Sequence, residues 1–214
     1  MKINAFFTDY AGKIGNISVY NAYGQNIART LPGKPKKKAR GRKLECQKDF
    51  GRVMRVLQRL ADYIRIGFSI RQEARSAFAG ALSANIKRMN QSEQKSGLGW
   101  LLISKGQRAG ATKLTVEQSS TTEALVCWDD PVIWQTWSGN DVAMVAAVND
   151  RSLEVTGIPS VVTRSQKQAS ITLPPAKPGD TIWFFIGFYS LEELLVKTST
   201  SAVSDSQLIG TMMV

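Results

Sequence analysis

Short apolar runs separated by turn residues dominate the second half of this 214-residue chain. Beyond about residue 100, apolar residues recur at every second position, as at Ala169, Ile171 and Leu173. Such alternation is typical of β-strands with one buried face. Six or seven short strands in about 110 residues fit an immunoglobulin-like or fibronectin-like antiparallel β-sandwich. Three longer apolar runs predict strands that are buried on both faces or in the sandwich core, at residues 123–128, 142–148 and 181–188.

The first half of the chain has a different pattern. Ile17 and Val19 alternate with polar neighbours and are followed by turn residues, so residues 12–31 predict a β-hairpin. Residues 44–66 predict an amphipathic helix, and residues 71–89 predict a second helix. A polar, glycine-containing connector follows at residues 90–99.

We therefore expect an α+β fold. An N-terminal domain, residues 1–99, contains the hairpin, a basic arm at residues 33–43 and the two-helix segment. An immunoglobulin-like sandwich follows at residues 100–214. Because the connector is polar and the charge changes sign beyond it, a fragment that starts at about residue 106 is expected to fold alone.

The first predicted helix has two different faces. At 100° per residue, its apolar side chains fall in one sector and its basic side chains fall on the opposite side. We therefore expect the helix to bury one face and to expose a cationic ridge. The apolar set is Phe50, Val53, Leu57, Leu60 and Ile64, and the basic set is Lys48, Arg52, Arg55 and Arg59.

Basic residues are concentrated in the N-terminal half. Residues 34–43, KPKKKARGRK, contain seven Lys or Arg and no acid. Residues 1–105 carry 21 Lys/Arg and 6 Asp/Glu, a net charge of +15, whereas residues 106–214 carry 7 and 11, a net charge of −4. Phosphates neutralised by such an arm release counterions, which drives binding without sequence specificity. The alternatives are an acidic protein partner and a solvated linker. The candidate nucleic-acid-binding residues are Lys34, Lys36, Lys37, Lys38, Arg40, Arg42, Lys43, Lys48, Arg52, Arg55 and Arg59.

Aromatic side chains supply two further candidate sites. Tyr20 and Tyr23 lie near the predicted hairpin tip, where they either stack on exposed bases or pack within the hairpin. Trp134 and Trp137 lie in the loop from residue 129 to residue 141. They are either interface residues or a cover over the end of the sandwich.

Several classes of chemistry lack the residues they need. The chain has no histidine, no phosphate-binding GxxxxGK[ST] loop and no GxGxxG after a strand, so we expect no enzymatic activity and no cofactor. Asp129, Asp130 and Asp141 either surround a calcium ion or form a solvated loop rim, and we favour the rim, without a metal. Cys46 and Cys127 are expected to be free thiols.

The sequence also bears on localisation. The N-terminal residues MKINAFFTDYAGK contain an apolar stretch that is too short for a signal peptide. No uninterrupted apolar run approaches the roughly 20 residues of a membrane span. We therefore expect a protein that is cytoplasmic or packaged in a virion, with no membrane partner.

Three segments carry a family resemblance. They are Gly12-Lys13, Gly15-Asn16, Tyr20, Gly24 and Arg29 in the hairpin, Val126 to Asp129 in an early strand, and Leu173-Pro174, Gly179-Asp180 and Phe188 to Ser190 near the end. Together they resemble the domain-of-unknown-function family numbered 6266. The resemblance extends over nearly the whole chain, although residues 129–141 replace a short polar loop of the family. It implies a hairpin, helices and a sandwich, and similar proteins resemble bacterial or phage accessory components.

These features predict a non-enzymatic structural protein of a nucleoprotein assembly, in particular a capsid or head–neck component of a phage. Its partners would be DNA or RNA, or an acidic protein surface, together with other subunits of an oligomer or larger complex. A cytoplasmic RNA-binding or ribosome-associated factor is the alternative. A carbohydrate- or protein-binding module that uses the tryptophan loop is a third possibility.

Overall fold

The chain forms two compact units, residues Met1–Glu45 and Cys46–Val214. The computed structural model describes residues 11–22, 25–33, 40–69, 76–131, 137–196 and 201–214, without the side chains of residues 22 and 158–161. In the first unit, three antiparallel strands form a small sheet in the order β1-β2-β3. These strands are β1 (Gly12–Ile14), β2 (Ile17–Ala22) and β3 (Gln25–Thr30). The predicted hairpin is therefore present as β2 and β3, and β1 extends it.

The described residues contain four α-helices. They are α1 (Arg42–Arg59), α2 (Ala61–Gly67), α3 (Ala77–Gln91) and α4 (Leu191–Val196). The predicted helix at 44–66 forms α1 and α2, which are separated at Leu60, whose φ of −97° and ψ of 19° depart from helical values. The second predicted helix, at 71–89, corresponds to α3, and its residues 71–75 lie outside the described residues. The Ser76 hydroxyl accepts a hydrogen bond from the Ala79 N–H at 3.2 Å and caps the first turn of α3.

Seven strands form the predicted antiparallel sandwich. One sheet has the order β4-β5-β8 and the other has the order β10-β9-β6-β7, which is the arrangement of a fibronectin-like sandwich. The strands are β4 (Thr112–Gln118), β5 (Glu123–Asp129), β6 (Val142–Asn149), β7 (Val155–Thr163), β8 (Gln168–Thr172), β9 (Thr181–Tyr189) and β10 (Gln207–Met213).

Strand β6 is buried on both faces, as its continuous apolar run predicts. Ala143, Val145 and Ala147 pack between the two sheets. Met144 and Val148 point the other way and share a core with residues of α1, α2 and α3. The second unit therefore has three layers, in which a helical layer covers the outer face of the four-stranded sheet.

A buried segment without regular secondary structure joins the helices to this sheet. Leu98, Trp100 and Ile103 are almost fully buried in the core that the helices share with β6 and β9. The Asn85 side chain holds the segment by bonding both the carbonyl and the N–H of Leu102, at 3.0 Å and 2.7 Å. The sequence-based boundary between residues 99 and 100 therefore divides a continuous core.

This shared core changes the expectation for the fragment that starts at residue 106. Without the helices, Met144, Val148 and Phe185 would be exposed on one face of the sheet. We now expect a fragment of residues 46–214 to unfold cooperatively, and a fragment of residues 106–214 to melt at a much lower temperature or to aggregate. Circular dichroism melts of both fragments test this, and equal melting temperatures would show that the helical layer adds no stability.

Candidate nucleic-acid interface

The exposed side of α1 differs from the predicted one. Val53, Leu57 and Leu60 are fully buried as expected, but Phe50 is 47% exposed and Val56 is buried instead. At 100° per residue, a buried face that contains Val56 in place of Phe50 is rotated by roughly 30° relative to the predicted face. The prediction for Phe50 was therefore wrong, because the helix packs on the sheet through its Val56 side.

This rotation brings Arg52 to the border of the buried face. Its guanidinium donates hydrogen bonds to the carbonyl oxygens of Lys95, Ser96 and Gly97, the last at 2.9 Å. The same guanidinium lies 5.9 Å from the centroid of the Trp100 ring. Arg52 thus fixes the predicted connector against α1, and most of its hydrogen-bonding capacity is used inside the protein.

The other basic residues of α1 are free to face solvent. Lys48, Arg55 and Arg59, here called the cationic strip, are exposed, and none of them forms an ion pair with a described residue. Among the residues that the structure describes, Arg55 donates only to the Gly51 carbonyl one turn earlier, at 3.2 Å. Arg40, Arg42 and Lys43 are also exposed, whereas Lys34, Lys36, Lys37 and Lys38 lie outside the described residues.

The acids of the helical segment are partly neutralised. Asp49 accepts a bond from the Lys95 ammonium at 2.9 Å, and Asp62 pairs with Arg65 at 3.2 Å. The cationic strip therefore keeps its charge while two nearby carboxylates have cationic partners. This arrangement produces a positive surface on one side of α1.

The small N-terminal sheet has one basic and aromatic face. The strand register places Lys13 and Arg29 beside Ser18, and Tyr20 follows two residues later on the same face. The Arg29 guanidinium lies 5.7 Å from the Tyr20 ring centroid. Tyr20 thus packs within the sheet against a cation, while Tyr23 lies outside the described residues.

The base of the tryptophan loop is a buried ionic network. Arg164 is fully buried between the rings of Trp137 and Phe188, whose centroids lie 5.0 Å and 4.3 Å from its guanidinium carbon. The Arg164 Nε donates to Asp130 at 2.8 Å. Trp137 therefore covers one end of the sandwich, whereas Trp134 lies outside the described residues.

A second arginine connects this loop to the segment around α4. The Arg108 guanidinium makes two bonds to the Asp141 carboxylate, at 2.7 Å and 2.6 Å, and a third to Glu193 at 2.8 Å. Burial alone would lower the pKa of Arg108, but the hydrogen bonds and charges of the two carboxylates outweigh it and raise that pKa. Sequence reasoning missed this network, since neither arginine belongs to a recognisable motif.

These contacts account for the acidic residues of the loop. Asp130 and Asp141 bind Arg164 and Arg108, and Asp129 lies 3.3 Å from Lys113. Within the described residues, no group of three metal-ligating side chains is placed to hold an ion. Cys46 and Cys127 are free cysteines, the first exposed and the second half-buried.

A separate carboxylate makes stability depend on pH. The Lys177 N–H and the Asn149 side-chain amide each donate to Asp180 at 3.0 Å, and Arg151 lies 3.1 Å away, so the pKa of Asp180 is held below its ordinary value. The resulting stabilisation is complete above the unfolded-state pKa of about 3.9 and is lost as pH falls through the lower folded-state pKa.

We expect Asp180→Asn to be less stable than wild type at pH 7 and to lose less stability below about pH 4. Urea unfolding between about pH 7 and pH 2.5 measures both differences. Parallel curves for the two proteins would show that Asp180 titrates alike in the folded and unfolded states.

The fold and surface define a fibronectin-like sandwich protein with a helical cover and a cationic helix. Residues 9–202 match the model of a protein family described as "Family of unknown function (DUF6266)". Since this match covers most of the chain, the chain belongs to that family, as the sequence resemblance indicates. No curated protein matches the chain. Among the described residues, no helix has the length and apolar character that crossing a membrane requires.

Proposed function

We propose that the protein is a non-enzymatic structural component of a nucleoprotein assembly, such as the capsid or head–neck region of a phage particle. In this proposal, the basic segment at residues 34–43 and the cationic strip contact the nucleic acid. The sandwich supports α1 and contacts other subunits. The binding is independent of base sequence, because the contacts are made to phosphates.

The proposal rests on a difference between the basic residues of the two halves: those of the C-terminal half named here are buried and paired, whereas those of α1 are exposed. Arg108 and Arg164 are buried and bound to carboxylates, so they stabilise the fold. Lys48, Arg55 and Arg59 are exposed on one side of α1 and have no carboxylate partner among the described residues. A polyanion would neutralise these exposed charges.

The helix also has the rigidity that such a contact needs. Val53, Val56 and Leu57 are completely buried, and they attach α1 to the core beneath it. The side chains of the cationic strip are therefore attached to an ordered backbone. Less conformational entropy of the chain is lost when they bind phosphates than when a flexible linker does.

The two kinds of basic residue on α1 provide a matched test. Replacing Lys48, Arg55 and Arg59 with alanine should reduce duplex-DNA affinity and make the log–log salt slope shallower by roughly 2 to 3, with little change in melting temperature. Replacing Arg52 with alanine should instead destabilise the fold by about 1–3 kcal/mol, because it removes bonds to three carbonyls.

Fluorescence anisotropy and thermal melts on the same preparations separate these effects. If Arg52→Ala reduces affinity as much as the triple variant does while the fold stays intact, α1 does not bind through the cationic strip. Comparison of DNA with RNA of equal length distinguishes the proposed assembly from an RNA-binding factor. Native purification with and without nuclease would identify its other subunits.

A further inference from the structure

A second surface of α1 is apolar and contains an unfilled hole. Gln47, Phe50, Gly51 and Met54 occupy positions i, i+3, i+4 and i+7 of the helix. Four residues with this spacing form the hole that receives a side chain of a partner helix in knobs-into-holes packing. We call these four residues the α1 hole, which lies between the buried face and the cationic strip.

Two observations show that the described chain does not fill this hole. Phe50 is 47% exposed, although it is a large apolar side chain. A methyl group at Gly51 would meet no atom within 4 Å apart from neighbouring residues of its own helix. Glycine in a helix interior costs roughly 0.5–1 kcal/mol relative to alanine, and no described residue outside α1 comes close enough to Gly51 to require it.

The matching knob is present on α4. Leu191, Leu195 and Val196 are exposed by 57%, 76% and 67%, and they lie on one face of this short helix. Leu194 points the other way and packs against the core, so it fixes the orientation of α4. The exposed face is therefore a small apolar surface with Leu195 near its centre.

Charge favours a second copy of this chain as the occupant. Glu192 is the charged residue of the exposed α4 face, because Glu193 is bound by Arg108. The α1 hole is bordered by Arg55, one turn beyond Gly51, and the acids Glu45 and Asp49 lie on a different side of the helix.

We infer that α4 of one copy docks on the α1 hole of a second copy, with Leu195 inserted beside Gly51 and Glu192 near Arg55. The two surfaces are different, so the contact is heterologous. This self-association is an interaction of protein with protein and does not require nucleic acid.

Complementation between two broken surfaces tests the inference. Phe50→Asp and Leu195→Asp should each weaken self-association roughly tenfold or more in sedimentation velocity of nuclease-treated protein. A 1:1 mixture should regain association, because the Leu195→Asp copy keeps an intact α1 hole and the Phe50→Asp copy keeps an intact α4. Met213→Asp, at a residue 78% exposed on β10, is the control and should associate like wild type.

Gly51→Ala is expected to change stability and self-association in opposite directions. It should raise the melting temperature by a few degrees, since it improves helix propensity, and weaken self-association, since it fills the hole. A wild-type protein that stays monomeric up to about 1 mM, or a mixture that associates no better than its components, would overturn the inference. Sensitivity to the α1 variants without sensitivity to Leu195→Asp would assign the hole to another occupant and also overturn it. Nucleic-acid affinity of the single variants, measured at low protein concentration, tests the proposed function separately.

Discussion

Asp141→Ala is expected to destabilise the protein by about 3–5 kcal/mol, because it leaves Arg108 buried without its main counter-charge. The carboxylate also accepts the Ser138 N–H at 3.0 Å and lies 3.6 Å from Arg164, so one substitution disrupts the base of the tryptophan loop. Equilibrium unfolding in urea would measure this loss as a lower transition midpoint.

Matched variants separate the buried network from ordinary surface charge. Glu117 is exposed on β4, and Glu117→Ala should change stability by less than about 0.5 kcal/mol. Asp141→Asn keeps an acceptor oxygen, so its loss of stability should lie between those of Asp141→Ala and Glu117→Ala. A loss below about 1 kcal/mol for Asp141→Ala would mean that water, rather than Asp141, satisfies Arg108.

The second large effect concerns the basic arm. Neutralising Lys36, Lys37, Lys38, Arg40 and Arg42 together should remove most nucleic-acid affinity at low salt and leave the melting temperature unchanged. Arg40 and Arg42 are exposed, so the described part of this change affects no core residue. With five phosphates neutralised by the arm, the arm is expected to contribute roughly −4 to −5 to the log–log salt slope on duplex DNA, and the variant should retain only the roughly −2 to −3 that the cationic strip contributes.

The control for the arm variant uses charges from elsewhere in the chain. Lys113 and Lys167 both lie near Asp129 in the sandwich, and their joint replacement by glutamine should leave the salt slope unchanged. An equal loss of affinity in that control would mean that net charge, rather than the arm, determines binding.

Periodic features of the sequence predicted the fold well. The alternation at Ala169 and Ile171 correctly indicated a sandwich, and the apolar run of β6 correctly indicated a strand that is buried on both faces. Periodicity did not reveal what covers the second face of β6. The α1 pattern is compatible with a buried sector that includes either Phe50 or Val56, and packing against the sheet selects Val56.

Tertiary contacts account for what the sequence could not show. The segment from Leu98 to Ser104 is buried without a regular period, so no pattern separates it from a strand or a loop. Arg52 belongs by spacing to the cationic ridge, yet three carbonyls that lie more than forty residues away bind it. The sequence pattern therefore puts Arg52 and the cationic strip on one face of the helix. Only the position of the connector in the folded chain shows that Arg52 is structural and that the strip faces solvent.

We propose that the basic segment and the cationic strip bind nucleic-acid phosphates. The most direct measurement is the affinity of the wild-type protein for two unrelated duplexes of equal length, by fluorescence anisotropy from about 50 to 300 mM salt. We expect nearly equal affinities for both sequences and a fall of roughly five to six orders of magnitude across that range, since the arm and the cationic strip together give a slope of roughly −6 to −8. No measurable binding at about 50 mM salt, or an affinity that does not change with salt, would contradict it.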